Sequence, residues 1–243
     1  MQPVLIALQF LTCLPIRLRQ MPSARAIGHS LPFYPLVGLL LGGVLWLLAA
    51  LLDASAPPLV AALTLAVWVA LTGALHLDGL ADSADAWLGG LGDRQRTLAI
   101  MKDPCSGPVA VVVLVLVLLL KFIALWVLLA EGDRSALLLA PVLGRAALPA
   151  LFLHTPYVRP GGLGQALAEH LPRRQVGLAV LVVVTGCVLL GNDGWLALAV
   201  ALLVGALVRR AMYRRLGGTT GDTAGALLEL VECAVLVALA LRA

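Results

Sequence analysis

Three aspartates follow one another at helical spacing in His76-Leu77-Asp78-Gly79-Leu80-Ala81-Asp82-Ser83-Ala84-Asp85. Positions i, i+4 and i+7 share one face of a helix, so the three carboxylates would point the same way. A second acidic set, Asp222, Glu229 and Glu232, lies near the other end of the chain. The two sets hold six of the 13 acidic residues, which is too strong a clustering for scattered surface charge. Carboxylates gathered so closely repel one another and tend to keep their protons unless a cation shares the site. The pattern therefore points to a divalent metal. Hard oxygen donors without a Cys or His cluster favour Mg²⁺, or Mn²⁺ in its place, over zinc. Mg²⁺ held by few carboxylates commonly also binds substrate phosphates.

The surroundings of the two sets bear on this reading. Leu77, Leu80, Ala81, Ala84, Trp87 and Leu88 fill the other faces of the first segment, which is more apolar than a solvated loop. Gly79 beside Asp78 permits a close approach of backbone. Thr219-Thr220-Gly221-Asp222 reads as a helix start, with hydroxyls and a carboxylate available to cap it. Glu229 then lies about 10 Å and Glu232 about 15 Å along the axis. Both fall inside an otherwise apolar run, where an unpaired acid costs roughly 2.5–3.5 kcal/mol. Pairing with the buried cations Lys121 or Arg145 is the competing explanation for these glutamates. Candidate phosphate partners are Arg94, Arg96 and Lys102 after the first motif, Arg159 in Tyr157-Val158-Arg159-Pro160-Gly161-Gly162, and Arg145. Gly217-Gly218 with Thr219-Thr220-Gly221 can present backbone N–H groups to a phosphate at a helix N-terminus. The four histidines are isolated, and His76, about 160° from Asp78 on a continuous helix, reads as structural or interfacial.

The elements that would position these residues are membrane helices. Of 243 residues 61% are hydrophobic and 12% charged, about half the charge of a soluble domain, and no polar block could form a separate one. The mean hydropathy of +1.02 agrees. Residues 1–243 are expected to form one all-α, polytopic integral membrane bundle with a single catalytic domain. Seven spans are expected: Phe33–Leu52, Pro57–His76, Gly107–Ala130, Ser135–Leu153, Gln175–Leu190, Trp195–Val208 and Thr223–Leu241. The fifth and sixth are short and flank Gly191-Asn192-Asp193-Gly194, as in a tight hairpin. Pro3–Ile16 is too short to span and reads as a surface or re-entrant helix. The scattered Cys13, Cys105, Cys187 and Cys233 suggest neither a disulfide framework nor a cysteine metal site, and Met1-Gln2-Pro3 lacks the basic start of a signal peptide.

Thirteen of the 17 basic residues fall on alternate connections: Arg17, Arg19 and Arg25; Arg94, Arg96 and Lys102; Arg159, Arg173 and Arg174; Arg209, Arg210, Arg214 and Arg215. The opposite side holds Arg134 and Arg242 alone, and Lys121 and Arg145 fall within spans. The basic side is therefore expected to be cytoplasmic, and it carries both acidic motifs and every long loop. Basic loops of a membrane protein also account for the pI near 9.2, without nucleic acid as a partner.

Several of these motifs, in order along nearly the whole chain, resemble the cobalamin synthase family. The His76–Asp85 stretch, Ile100-Met101-Lys102-Asp103, Gly144-Arg145, and Gly217–Asp222 with Gly225-Ala226 and Glu229 carry the likeness. Leu11-Thr12-Cys13-Leu14-Pro15 and Phe33-Tyr34-Pro35-Leu36-Val37-Gly38 also fit. The chain departs in lacking the basic residue that many members have around Cys105, so no phosphate contact is assigned there.

The resemblance implies a multi-pass enzyme of the bacterial inner membrane with its site facing the cytoplasm. It implies Mg²⁺-dependent transfer of the adenosylcobinamide-phosphate group from adenosylcobinamide-GDP to a ribose hydroxyl of α-ribazole or its 5′-phosphate, with release of GMP. In that frame Asp78, Asp82, Asp85, Asp222 and Glu229 are the candidate metal ligands. Asp85 or Asp82 would accept the hydroxyl proton, and Lys102, Arg145, Arg159, Thr220 and Gly221 would hold phosphates. Homo-oligomers and association with other enzymes of the cobalamin pathway are open to such a protein. Two other readings compete: a CDP-alcohol phosphotransferase, whose usual aspartate spacing differs, and a transporter lined by Glu229, Glu232, Lys121 and Arg145.

Overall fold

In the computed structural model the chain is all helix, and the structure describes residues 2–18, 20–161 and 163–243. Met1, Arg19 and Gly162, all named above, lie outside the described residues. The helices are α1 (Gln2–Leu11), α2 (Ala24–Gly28), α3 (Tyr34–Leu51), α4 (Pro57–Thr72), α5 (Leu75–Gly89), α6 (Arg94–Ile100) and α7 (Pro108–Ala130). Then come α8 (Ala136–His154), α9 (Leu163–Glu169), α10 (Arg173–Leu189), α11 (Gly191–Leu216) and α12 (Gly221–Ala240). One turn of 3₁₀ helix, Leu31–Phe33, leads into α3.

Among the described residues five helices are long and apolar enough to cross a membrane, and the bent pair α4 and α5 makes a sixth if it counts as one span. The expectation of seven spans is reduced accordingly. At 17 residues α10 is about 26 Å long, shorter than a bilayer core of about 30 Å.

The centre of the bundle is α8 and α12, each with 72% of its most apolar stretch enclosed, against 28% for α7 and 17% for α11. Small residues let helices close on this centre. Gly38 and Gly42 of α3 face α8 so tightly that a Cβ at either would stand 2.5–2.6 Å from the carbonyl oxygens of Pro141 and Leu137. Such small-xxx-small spacing is the usual way to bring membrane helices into backbone contact. The large side chains of the outer helices, including Leu119, Leu120, Leu202 and Leu203, remain exposed on the outer surface.

Two elements differ from the sequence expectation in ways that shape the site. The second span does not run through to His76. Gly73 and Ala74 both adopt left-handed backbone, with φ of 60° and 56°, and the helix turns by 87° there. The break is held from outside: the Cys13 N–H donates to the Leu71 carbonyl at 2.7 Å, and a side chain on Gly73 would collide with the Cys13 Sγ. The segment after α1 thus pins the bend, and α5 crosses the end of the bundle instead of continuing along α4. Similarly, α11 does not stop at Val208 but runs on to Leu216, so Arg209, Arg210, Arg214 and Arg215 extend from a helix and not from a loop. Arg215 ties this extension to the α5–α6 region, donating to the Thr97 hydroxyl at 3.0 Å and the Trp87 carbonyl at 2.9 Å.

Candidate active site

Three segments converge at the basic end of the bundle: the first turns of α5, the N-terminus of α12, and the loop after α8. Gly79 makes the first contact possible, since a Cβ there would lie 2.8 Å from the Asp222 carbonyl oxygen. The loop is fastened to α12 by a short parallel bridge. The Val158 N–H donates to the Thr219 carbonyl and the Thr219 N–H to the Pro156 carbonyl, both at 2.9 Å. A side chain at Gly218 would collide with the Pro156 carbonyl, so the second glycine of Gly217-Gly218 serves this approach. The first, at φ 73°, ends α11 in the left-handed conformation common at helix C-termini.

The bridge brings Arg159 to α12, where its Nη1 lies 2.5 Å from Asp222 Oδ2. Around this pair opens a cavity of about 450 Å³, lined on its polar side by Asp78, Lys102, Arg159, Gly221 and Asp222. Five of the residues assigned from sequence thus meet at one cavity. The N-terminus of α12 faces it through Gly221 and Asp222 and turns the positive end of the helix dipole toward it, with the Gly221 N–H directed at the Tyr157 hydroxyl.

Asp82 stands one turn beyond Asp78 on α5, past the 87° turn, and is not among the residues that line the cavity. Its burial, and next the charges of Asp78 and Asp222, raise its carboxyl to about 6, with Arg159 acting in the opposite direction. Burial also raises the hydroxyl of Tyr157 in the loop.

Other assigned residues are placed elsewhere. Asp85 accepts from the N–H groups of Gly107 at 2.5 Å and Ala110 at 2.9 Å. Its carboxylate caps the start of α7, which fixes the loop below the site and occupies both oxygens. Glu229 turns into the bundle, where its Oε2 lies 2.5 Å from Lys121 Nζ; Glu232 Oε2 is 2.7 Å from the same ammonium. Arg145 pairs with the other Glu232 oxygen and is fully buried away from the cavity. Lys121 also lies 4.9 Å from the ring centre of Trp68. The four charged groups therefore pair among themselves, the competing explanation considered from sequence. All four are buried, so the charges that suggested a transporter are accounted for by this pairing. Thr220 is likewise committed: its hydroxyl accepts from the Thr223 N–H at 3.2 Å as the N-cap of α12, with the Thr223 hydroxyl answering the Thr220 N–H. Arg94 and Arg96 are exposed and line no part of the cavity.

Among the described residues no group of three His, Cys, Asp or Glu side chains forms a ready-made metal cage. Asp78, Asp82 and Asp222 nonetheless suit Mg²⁺, which takes oxygen donors, keeps several waters and is typically held by one or two carboxylates plus substrate phosphates. Sequence spacing gave no hint of the cavity's other wall, formed by Phe10, Tyr34, Phe152 and Tyr157 from three separate parts of the chain. Tyr157, within the Arg159 motif, and Tyr34, within the Phe33–Gly38 motif, carried some signal, and Phe10 and Phe152 none.

Fold and site together define a multi-pass helical membrane protein with a carboxylate and arginine cavity at one end. The sequence matches the cobalamin-5-phosphate synthase family over residues 3–240, and the chain belongs to that family. It is similar to the adenosylcobinamide-GDP ribazoletransferase of Stutzerimonas stutzeri (strain A1501), with 69% identity over 242 residues, covering 100% of this chain and 99% of the relative. The proteins of that description from Pseudomonas putida (strain GB-1) and Pseudomonas aeruginosa (strain PAO1) are 66% and 62% identical over 241 residues. They cover 99% of this chain and 99% and 98% of their own lengths. No solved structure matches.

Proposed function

We propose that this chain performs the ribazole transfer for which its relatives are named, in the cavity between α5, α12 and the 155–161 loop. A ribose hydroxyl of α-ribazole or its 5′-phosphate attacks the cobinamide-linked phosphorus of adenosylcobinamide-GDP. A new oxygen–phosphorus bond forms, the bond to the bridging diphosphate oxygen breaks, and GMP departs with that oxygen. Asp82, with its raised proton affinity, takes the hydroxyl proton. Asp78 and Asp222 are the residues that would hold Mg²⁺. When bound, that ion neutralises charge on the diphosphate and orients the attack. Arg159 exchanges its partner Asp222 for a phosphate oxygen, Lys102 adds a second cation, and the α12 N-terminus donates N–H groups to the same anion. Asp85 holds the start of α7 in place beneath these groups.

The basic end of the bundle faces the cytoplasm in this reading, on the strength of the alternation of basic connections. The observation that carries the proposal is the meeting of Asp78, Asp222, Arg159 and Lys102 around one cavity in a chain of this family. Purified protein in lipid nanodiscs, given adenosylcobinamide-GDP, α-ribazole and Mg²⁺, should release GMP. Absence of release with both α-ribazole and its 5′-phosphate would contradict the proposal.

A further inference from the structure

The same cavity has a second half that phosphate chemistry does not use. Phe10 stacks on Tyr34 and Phe152 on Tyr157, each pair with ring centres 6.2 Å apart, and all four residues line the cavity together with Leu148 and Leu167. The Tyr34 hydroxyl is paired with Ser30 and that of Tyr157 with the Gly221 N–H, and His76 also lines the cavity. His76 is 4% exposed, and neither Nδ1 nor Nε2 has a hydrogen-bond partner among the described residues.

A buried imidazole without partners is unfavourable, because its polar atoms have lost water and gained nothing. Its position is also dictated by the break at Gly73-Ala74. Without the bend His76 would continue along α4; with it, the ring is carried under the cavity one half-turn from Asp78. Both nitrogens are buried, and a ligand that turns the ring toward the cavity would complete the hydrogen bond that the protein leaves open.

We infer that the aromatic half is the base-binding subsite for the acceptor nucleoside, with His76 hydrogen-bonding a polar atom of its planar, otherwise apolar base or of the adjoining sugar. This rests on the proposed ribazole transfer and adds which substrate occupies which half. The base of α-ribazole is a benzimidazole, flat and apolar apart from one unprotonated ring nitrogen. Stacked aromatics and leucines suit it, and one donor satisfies it. Guanine carries several donors and acceptors, which this wall would leave unpaired. The acceptor's ribose then lies toward Asp78 and Asp82, and the diphosphate of the donor toward Arg159, Lys102 and the α12 N-terminus. His76 is a positioning residue in this arrangement.

The test is the Michaelis constant for each substrate in nanodisc-embedded His76→Leu, His76→Gln and Phe152→Leu. The KM for α-ribazole should rise about tenfold in His76→Leu, as expected for one lost hydrogen bond. It should rise similarly in Phe152→Leu and return most of the way in His76→Gln. The KM for adenosylcobinamide-GDP should stay the same. An unchanged α-ribazole KM in both His76→Leu and Phe152→Leu, or a change confined to the donor, would overturn the inference. If His76→Leu does not fold, Phe152→Leu decides. If the wild-type protein releases no GMP, the transfer itself fails, and equilibrium binding of α-ribazole, followed by its fluorescence, decides the subsite separately. Binding that weakens about tenfold in Phe152→Leu supports the subsite, and no binding to the wild type overturns it.

Discussion

The Asp82 carboxylate makes no hydrogen bond among the described residues, yet the charges of three other aspartates act on it. Asp82→Ala should therefore reduce GMP release by at least about 100-fold, the scale of a lost general base, while expression and membrane insertion remain normal. Near-normal turnover would remove Asp82 from the chemistry. A pH dependence follows from the same residue. Its carboxyl titrates at about 6 in the metal-free protein, above its ordinary value, so as pH falls through that value the folded chain takes up a proton and this group favours the metal-free fold. As the proposed base, Asp82 must be ionised to accept the hydroxyl proton. GMP release at saturating Mg²⁺ should accordingly fall between about pH 7.5 and about pH 5.5. A flat rate over that range would contradict it. At the residue scale the sequence was informative where geometry is local: Asp78 and Asp82 share a helix face, and Thr220 starts α12. It was misleading where a partner comes from far along the chain. Asp85 is 22 residues from the amide it caps, and Glu229 is 108 residues from Lys121, so spacing alone could not assign either.

The elements hold the site through contacts that leave no spare volume or charge. Gly79 on α5 touches the Asp222 backbone, and Gly79→Ala should force the two helices apart at an overpacking cost of about 1–3 kcal/mol. Loss of activity should then exceed loss of stability, as measured by GMP release against thermal unfolding in the same detergent. In the bundle, Glu232 bridges Lys121 of α7 and Arg145 of α8. Glu232→Gln should destabilise the fold by about 3–5 kcal/mol, because it strips two buried cations of their shared partner. An unfolding midpoint equal to wild type would show that the network is dispensable. The helices were mostly legible as apolar runs. The turn at Gly73-Ala74 was not, because its cause lies in a distant segment: Cys13 takes up the Leu71 carbonyl. Nor was the full length of α11, where four arginines resemble a loop until their helix is seen packed against Thr97 and Trp87.

Over the whole molecule, the alternation of basic connections gathers the site's elements at one end. The exposed cysteines Cys13 and Cys105 both belong to that end, while Cys187 and Cys233 are buried. A membrane-impermeant maleimide should label the protein in inside-out vesicles and leave right-side-out vesicles unlabelled; the reverse would invert the proposed orientation. The division of the acidic residues into a cavity set and a bundle set is the central claim about function. In the proposed function Asp78 and Asp222 serve substrate and Mg²⁺, whereas Glu229 pairs with Lys121. It is tested most directly by the Mg²⁺ dependence of GMP release in Asp222→Asn and Glu229→Gln, side by side with wild type. The account predicts that Asp222→Asn raises the Mg²⁺ requirement by about tenfold or more, while Glu229→Gln lowers thermal stability and keeps the wild-type Mg²⁺ requirement. A raised requirement in Glu229→Gln with none in Asp222→Asn would contradict it.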